Sequence, residues 1–411
     1  MQKLLAIAVL LLTGAVSPGL LSDDRPPPGK EAGTSTRLAE LLGDQGLEGY
    51  AKAEEVRQFT FPEDHGPHPE YRNEWWYLTG NLDGPAAERF GFELTFFRFA
   101  LSPVPVSERR DSSTWKTHQI FIGHFAVTDV TGRKFHVAER YARASVGLAG
   151  AMVSPLRVWL ENWSLARIQE SSSAWRAHAT ADNIELDLTL TPLKAPVLNG
   201  QRGLSQKADQ KGNATYYYSV PRLHAEGSLQ IDDMVFPVSG LSWLDREWGS
   251  SMLSSEQQGW DWFAVQLSDG SDLMFYSLRK RDGSQDTHSA GTWVNPQGHG
   301  TPLGARDVSI EVLEYWDSPL GGRYPAAWRI LSPLLGLDLQ LEPVLQDQEL
   351  NTSPRYWEGA VDVIGKKDGA AIDGRGYVEL TGYATEPVAA SQRSALEQSA
   401  SAKNFNQSSA R

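Results

Sequence analysis

A tryptophan-bearing segment occurs twice in this chain, and the duplication constrains the fold more than any other feature. The first copy contains Trp76 and is followed by an Asp-Gly turn at residues 83–84. The second contains Trp262 and is followed by an Asp-Gly turn at residues 269–270. An apolar segment that ends in arginine follows each turn. A unit repeated at this distance indicates two similar domains rather than a solenoid of short repeats.

Apolar and polar residues alternate through much of the chain after residue 58. Residues 184–190, 337–342 and 357–363 show this period of two, which is typical of antiparallel strands with one buried face. Glycine, proline, asparagine and aspartate separate such segments, and no long helical pattern interrupts them. The predicted fold class is therefore all-β, made of sandwiches or barrels.

The ends of the chain differ in composition from its middle. Residues 1–22 combine an early Lys3, an apolar run too short to span a membrane, and small residues, which predicts a signal peptide. Residues 23–58 are predicted to be a linker with a short helix. Residues 387–411 are rich in serine, alanine and glutamine, and are predicted to be a disordered tail. The two domains are then expected at residues 59–250 and 251–386.

Charge and cysteine content limit the partners and the location. The net charge of −13 argues against a nucleic-acid partner, because binding phosphates needs surplus lysine and arginine. The chain has no cysteine, and therefore no disulfide and no lipobox cysteine for lipid attachment. We expect a soluble protein, periplasmic or secreted, with no transmembrane segment after signal cleavage.

Common catalytic and cofactor motifs are absent from the sequence. It contains no Gly-x-Ser-x-Gly elbow, no His-Glu-x-x-His pair and no phosphate-binding glycine loop. Asp64, His65 and His68 could offer metal ligands, but they lie in a stiff proline-rich turn without a distant third ligand. Capping or hydrogen bonding is the favoured role for these side chains. We predict no metal and no cofactor.

Three consecutive charged residues, Asp245, Arg246 and Glu247, lie in an apolar stretch between two tryptophans. On a strand, Asp245 and Glu247 share one face and Arg246 takes the other. Two carboxylates on one apolar face raise each other's proton affinity, as a general acid requires. The alternative is an ion-pair network at the domain junction, in which Arg246 is paired with carboxylates and covered by tryptophans. The sequence leaves both open.

Fourteen tryptophans is a high count, and many lie near the ends of predicted strands. For any single tryptophan a place in a domain core is favoured, because these rings bury a large apolar area. The functional alternative is a lumen for a large apolar ligand. Neighbours such as Trp75 and Trp76 must point to opposite faces of a strand. The candidate ligand-binding residues are Trp75, Trp76, Trp243, Arg246, Trp248, Trp260, Trp262 and Tyr276.

Four motifs resemble those of the AttH/CrtC-like proteins, at residues 65–77, 243–249, 259–263 and 376–383. This is the carotenoid 1,2-hydratase (hydroxyneurosporene synthase) superfamily, many of whose members are labelled predicted secreted hydrolases. The resemblance covers residues 45–386. It implies two lipocalin-like β-barrels packed side by side, in an exported bacterial protein often encoded beside an ABC transporter.

The resemblance implies two functions. The hydratases add water to a carbon–carbon double bond by means of a protonated carboxylic acid among aromatic rings. In this chain Arg246 occupies the position where the hydratases have histidine, and the strand of Tyr276 lacks the carboxylic acid that they have there. We therefore favour an exported protein that binds a lipid, polyene or isoprenoid, with an ABC transporter permease as partner. The alternative is a cofactor-independent hydro-lyase that uses Asp245, Glu247 or Asp261 as acid. A hydrolase is unsupported, because no nucleophile–base pair can be named.

Overall fold

The structure, a computed structural model, describes residues 46–103, 118–169 and 171–384. Within these ranges the only helices are two short 3₁₀ turns, Glu63–His65 and Pro333–Leu335. The predicted signal peptide, the predicted tail and most of the predicted linker lie outside the described residues. The described part of the linker, residues 46–58, contains turns and extended chain and no helix.

The first of two sheets has thirteen antiparallel strands. They are β1 (Asn73–Asp83), β2 (Arg89–Ala100), β3 (Gln119–Asp129), β4 (Lys134–Arg143), β5 (Ala149–Met152), β6 (Arg157–Leu160), β7 (Trp163–Arg167), β8 (Trp175–Ala181), β9 (Ile184–Pro192), β10 (Val197–Leu198), β11 (Leu204–Gln206), β12 (Ala214–Ile231) and β13 (Met234–Gly249). Their order is β4-β3-β2-β1-β13-β12-β9-β8-β7-β6-β5, and β10 and β11 pair with β12. The sheet curls so that β2, β3 and β4 also approach β6.

The second sheet has ten antiparallel strands. They are β14 (Gln257–Leu267), β15 (Asp272–Lys280), β16 (Ala290–Val294), β17 (Gly300–Gly304), β18 (Ser309–Asp317), β19 (Arg323–Ser332), β20 (Leu337–Pro343), β21 (Glu349–Leu350), β22 (Tyr356–Lys367) and β23 (Ala370–Leu380). Their order is β17-β16-β15-β14-β23-β22-β20-β19-β18, and β21 pairs with β22.

The two copies of the tryptophan segment lie in different sheets, and the predicted fold class of two lipocalin-like barrels is confirmed. Trp76 lies on β1, which pairs with β2 and β13, and Trp262 lies on β14, which pairs with β15 and β23. The chain passes from the first sheet to the second between Gly249 and Gln257. The three segments with a period of two form β9, β20 and β22.

The central strands are buried on both faces, because the two barrels pack against each other. On β1, Trp76 and Leu78 point into the core of the first barrel, whereas Tyr77 contacts Trp262 of the second sheet. The side-chain alternation of a strand therefore sorts residues between a barrel core and the space between the barrels. A third apolar cluster fills that space, made of Tyr77, Tyr217, Trp243, Leu253, Trp262, Ala264, Met274, Tyr276, Leu278, Ala360 and Tyr377.

Ion pairs join the sheets around this third cluster. Arg222 and Lys194 bind the fully buried Asp272 of the second sheet, with N···O distances of 2.7 Å and 2.6 Å. Arg89 and Asp362 form a more exposed pair between β2 and β22. These contacts fix the relative position of the barrels, and so the shape of the cavity between them. No helix in the described ranges is long and apolar enough to span a membrane.

Candidate active site

A cavity between the two sheets brings polar groups together inside an aromatic lining. Its partly exposed rim carries Trp75, Phe97, Phe99, Ile122, Trp260 and Pro354. Its buried interior carries Tyr77, Tyr217, Asp245, Trp262, Tyr276 and Glu358. A concave, largely apolar site with a few converging polar groups is the usual form of a small-molecule site.

Asp245 lies in the buried interior with both carboxylate oxygens bonded. Its Oδ1 accepts hydrogen bonds from Ser219 Oγ at 2.5 Å and Trp243 Nε1 at 2.7 Å, and its Oδ2 accepts one from Tyr217 at 2.5 Å. Burial raises the pKa of Asp245 to about 7, although these three hydrogen bonds lower it, and the charge of Glu247 raises it further. The group can therefore give or take a proton near neutral pH, as acid–base catalysis requires.

Glu247 forms an ion pair beside Asp245. Lys207 Nζ lies 3.0 Å from Glu247 Oε1 and 3.9 Å from the centre of the Tyr276 ring, and Thr215 donates a hydrogen bond to the same carboxylate oxygen. Burial lowers the pKa of Lys207, but Glu247 and Tyr276 outweigh it and raise the pKa above its ordinary value. Lys207 is therefore a fixed positive charge in the cavity wall.

Three further carboxyl groups meet between the sheets, from β2, β22 and β23. Glu358 and Glu379 face each other on neighbouring strands and both line the cavity, whereas Glu93 of the first sheet does not line it. Burial raises the pKa of Glu93 and of Glu379 to about 8, and raises the pKa of Glu358 well above its ordinary value. The charges of Glu93 and Glu379 raise the pKa of Glu358 further, and those of Glu247 and Asp245 raise the pKa of Glu379 further. At neutral pH the protonated forms of Glu93 and Glu379 therefore predominate, and the protonated form of Glu358 is favoured.

Several polar atoms in this region form no hydrogen bond of standard geometry, although Tyr77 lies close to Glu358 and Glu93 lies close to Thr95. They are both carboxyl oxygens of Glu93 and of Glu358, and the hydroxyls of Tyr77 and Tyr377. An unsatisfied buried polar group costs about 1–3 kcal/mol of stability. Folding alone does not account for such a concentration, which is typical of a site kept for a ligand or for chemistry.

The structure places most of the predicted site residues in or against this cavity. Trp243 lies directly behind it, with its indole nitrogen on Asp245. The predicted residues that line the cavity are Trp75, Asp245, Glu247, Trp260, Trp262 and Tyr276.

Arg246, Trp76 and Trp248 lie inside the first barrel, and we remove them from the candidate site. Arg246 is fully buried with Nη2 3.1 Å from Glu74 Oε2, and its guanidinium lies 3.8 Å from the Trp76 ring centre. Trp248 stacks on His68 with ring centres 3.7 Å apart. The strand period puts these three residues on the opposite face from Trp75, Asp245 and Glu247. Arg246 is thus paired with a carboxylate, but within a barrel core rather than at the junction.

Asp261 is also corrected, because its carboxylate does not reach the cavity. Arg279 Nη1 lies 2.5 Å from its Oδ1, and the Tyr383 hydroxyl donates to its Oδ2 at 3.0 Å. On β14 it alternates with Trp260 and Trp262, which line the cavity, so its side chain takes the other face.

The side chains of the proline-rich turn make hydrogen bonds. Asp64 accepts one from the backbone of Thr60, and His68 contacts Asp64 and Glu74. His65 Nδ1 lies 2.5 Å from the Tyr218 hydroxyl. No group of three potential ligands that could hold a metal occurs among the described residues.

Sequence reasoning missed Glu93, Glu358, Glu379 and His124. Glu379 belongs to the motif at residues 376–383, which was the only sequence signal that could have led to it. His124 lies on β3, and its Nδ1 lies 2.7 Å from the Tyr356 hydroxyl in the cavity wall.

Comparison with known proteins supports the resemblance. Residues 52–383 match the sequence profile of the AttH-like family. The chain belongs to the AttH-like family. A crystal structure of a putative AttH from Nitrosomonas europaea is 34% identical, with a TM-score of 0.71, and the match covers 81% of this chain and 99% of that one.

Two fungal relatives carry names that state a reaction. Kievitone hydratase of Fusarium solani subsp. phaseoli is 23% identical over 218 residues, which is 51% of this chain and 61% of that protein. Dehydratase asqC of Emericella nidulans is 23% identical over 226 residues, 51% of this chain and 62% of that protein. The chain thus covers less than two thirds of these curated relatives. A crystal structure of kievitone hydratase from Nectria haematococca shares the fold, at 17% identity and a TM-score of 0.62 over 82% of this chain and 97% of that one.

Proposed function

We propose that this AttH-like protein is a cofactor-independent hydro-lyase. It adds water across a carbon–carbon double bond of an apolar substrate held between the two sheets, or removes water to form such a double bond. The observation that carries the proposal is a set of carboxyl groups with raised pKa values in an aromatic cavity, with values of about 7 for Asp245 and about 8 for Glu379. Acid catalysis at neutral pH needs a carboxylic acid that keeps its proton there.

The two carboxyl groups suit different halves of the reaction. In hydration, the protonated Glu379 transfers its proton to one carbon of the double bond. The oxygen of water bonds to the other carbon, and Asp245 takes the proton that this water loses. The ring faces of Trp260 and Trp262 stabilise positive charge on the attacked carbon. Dehydration is the same sequence reversed, and one proton exchanged between the two carboxyl groups restores the starting state.

The comparisons support this choice over pure binding. Two relatives are named for hydration and dehydration, although each matches only about half of this chain at 23% identity. The proposal therefore rests on the cavity first and on the relatives second.

The test is oxygen-18 uptake. The purified protein is incubated in H₂¹⁸O with acyclic isoprenoids and prenylated aromatic compounds, and products are read by mass spectrometry. Loss of a general acid typically lowers the rate by about 10²–10⁴-fold, so we expect at least a hundredfold loss in E379Q. The control is E342Q, the same chemical change on the exposed face of β20. Equal uptake by E379Q and wild type would refute the proposal.

Ligand binding without chemistry is the second candidate. The aromatic, partly exposed rim of the cavity favours it, because such a rim admits apolar molecules from outside. The sequence adds a predicted signal peptide at residues 1–22, a predicted periplasmic or secreted location and a predicted ABC transporter permease as partner. Native mass spectrometry of protein purified from its host tests this function: a bound apolar compound returned unchanged supports the binder.

A further inference from the structure

We propose that Tyr77 and Glu358 form a binding site for a carbonyl oxygen, so that the substrate is an apolar ketone, enone or related carbonyl compound. This inference rests on the proposed function and names its substrate class. Water would be added or removed at the carbon–carbon bond next to the carbonyl group.

The two groups come from different sheets and reach the same cavity. Tyr77 lies on β1 and Glu358 on β22, both line the cavity, and their exposed fractions are 6% and 0%. The Tyr77 hydroxyl and the Glu358 carboxyl group lie close enough to shift each other's pKa, yet neither forms a hydrogen bond of standard geometry with another side chain. Buried polar groups are almost always bonded, so a partner from outside the chain fits this arrangement.

The protonation states decide what that partner is. Burial raises the pKa of Glu358 well above its ordinary value, and the nearby Glu93 and Glu379 raise it further. Burial also raises the pKa of Tyr77 well above its ordinary value. Both shifts favour the neutral forms, in which each group has an O–H that can donate a hydrogen bond. A carbonyl oxygen has two lone pairs and accepts both donors, and a phenol beside a neutral carboxylic acid is a known device for holding an oxygen that gains negative charge.

Glu93 acts through Glu358 as a positioning residue. It is fully buried on β2, it does not line the cavity, and its carboxyl oxygens form no hydrogen bond of standard geometry. Negative charge on Glu93 and negative charge on Glu358 disfavour each other, so the presence of Glu93 makes ionisation of Glu358, the group that contacts substrate, less favourable. This explains why a third carboxyl group is kept in an apolar interface.

The site gives hydration of an enone a balanced course. The oxygen of water bonds to the carbon distant from the carbonyl, and Asp245 takes the proton that water loses. The electron pair of the double bond moves toward the carbonyl oxygen, which becomes an enolate oxygen bonded to Tyr77 and Glu358. Glu379 then protonates the carbon next to the carbonyl, and the carbonyl forms again.

Three matched probes test the inference by binding alone. These are 2-acetylnaphthalene, its reduced alcohol 1-(2-naphthyl)ethanol, and 2-ethylnaphthalene, which has no oxygen. Binding is followed by quenching of tryptophan emission, since Trp75, Trp260 and Trp262 line the cavity. We expect wild type to bind the ketone at least tenfold more tightly than either other probe. The ketone's C=O stretching frequency should fall below its value in an aprotic solvent.

The variants Tyr77→Phe and Glu358→Leu each remove one donor, from different sheets. Each should bring the ketone preference to within threefold and return the C=O stretch toward its solvent value. Tyr315→Phe is the matched control, because it removes a tyrosine hydroxyl from the exposed part of β18, away from the cavity lining. It should keep the preference. Thermal unfolding checks that each variant folds.

Four results would each overturn the inference. They are equal binding of the three probes to wild type, a ketone preference that survives both variants, a C=O stretch unchanged on binding, and no binding of any probe. The wild-type measurements alone can refute the inference, even if neither variant folds. A protein that takes up oxygen-18 into isolated alkenes but shows no ketone preference would keep the hydro-lyase proposal and lose this one.

Discussion

Removing the guanidinium of Arg246 should destabilise the first barrel strongly. This side chain has no exposed surface and donates hydrogen bonds to the backbone carbonyls of Trp75 and Gly66 and to the carboxylate of Glu74. Its guanidinium also packs over the ring of Trp76. Arg246→Ala therefore breaks a buried ion pair, leaves two carbonyl groups without this donor and opens a cavity.

The magnitude follows from what remains around Glu74. Loss of one partner of a buried ion pair typically costs about 3–5 kcal/mol, because the other charge stays buried. Arg98 still binds Glu74 and has no exposed surface either, so Glu74 is not left alone. We expect a loss of about 3 kcal/mol, at the low end of that range.

Urea unfolding followed by tryptophan emission and circular dichroism measures this loss. The matched control is Arg176→Ala on β8, which removes an arginine paired with Asp187 on the exposed face of the same barrel. Exposed pairs contribute about 0–1 kcal/mol, so the control should stay close to wild type. A loss below about 1 kcal/mol in Arg246→Ala, or a loss equal to the control's, would refute our account of this network.

Three further predictions concern charge and pH. The pKa of Glu93 is raised from its ordinary value of 4.5 to about 8 in the folded protein, so Glu93 makes folding less favourable as the pH rises through this range. In urea unfolding, the stability of E93Q relative to wild type should therefore increase between pH 5 and 9. A difference that does not change with pH would contradict this. The pKa of Glu74 is lowered, despite burial, by Arg98 and its other partners, so the stability that Glu74 contributes is present above pH 4.5 and is lost as the pH falls. E74Q should be less stable than wild type at pH 7, and this difference in stability should shrink toward pH 2. A difference that persists at pH 2 would count against the pairing. D272N should lower the free energy of unfolding by about 3–5 kcal/mol, because Lys194 and Arg222 lose a buried partner. D362N, at the more exposed interface pair, should lower it by less than about 1 kcal/mol. Similar losses in both variants would contradict the assigned burial.

The sequence alone determined the fold class and the duplication. A side-chain period of two is a local property of strands, so β9, β20 and β22 could be read directly from alternating residues. The same alternation correctly separated Asp245 and Glu247 from Arg246, and Trp75 from Trp76, because neighbours on a strand cannot share a face.

Only the tertiary structure decided which face belongs to the cavity. Both faces of the central strands are buried, one in a barrel core and one against the other barrel, so apolar character does not distinguish them. For this reason Arg246 and Asp261 looked as suitable as Asp245 in the sequence. Glu93, Glu358 and Glu379 come together only because β2 packs against β22 across the interface and β22 pairs with β23. Contacts between residues this far apart leave no periodic pattern in the chain.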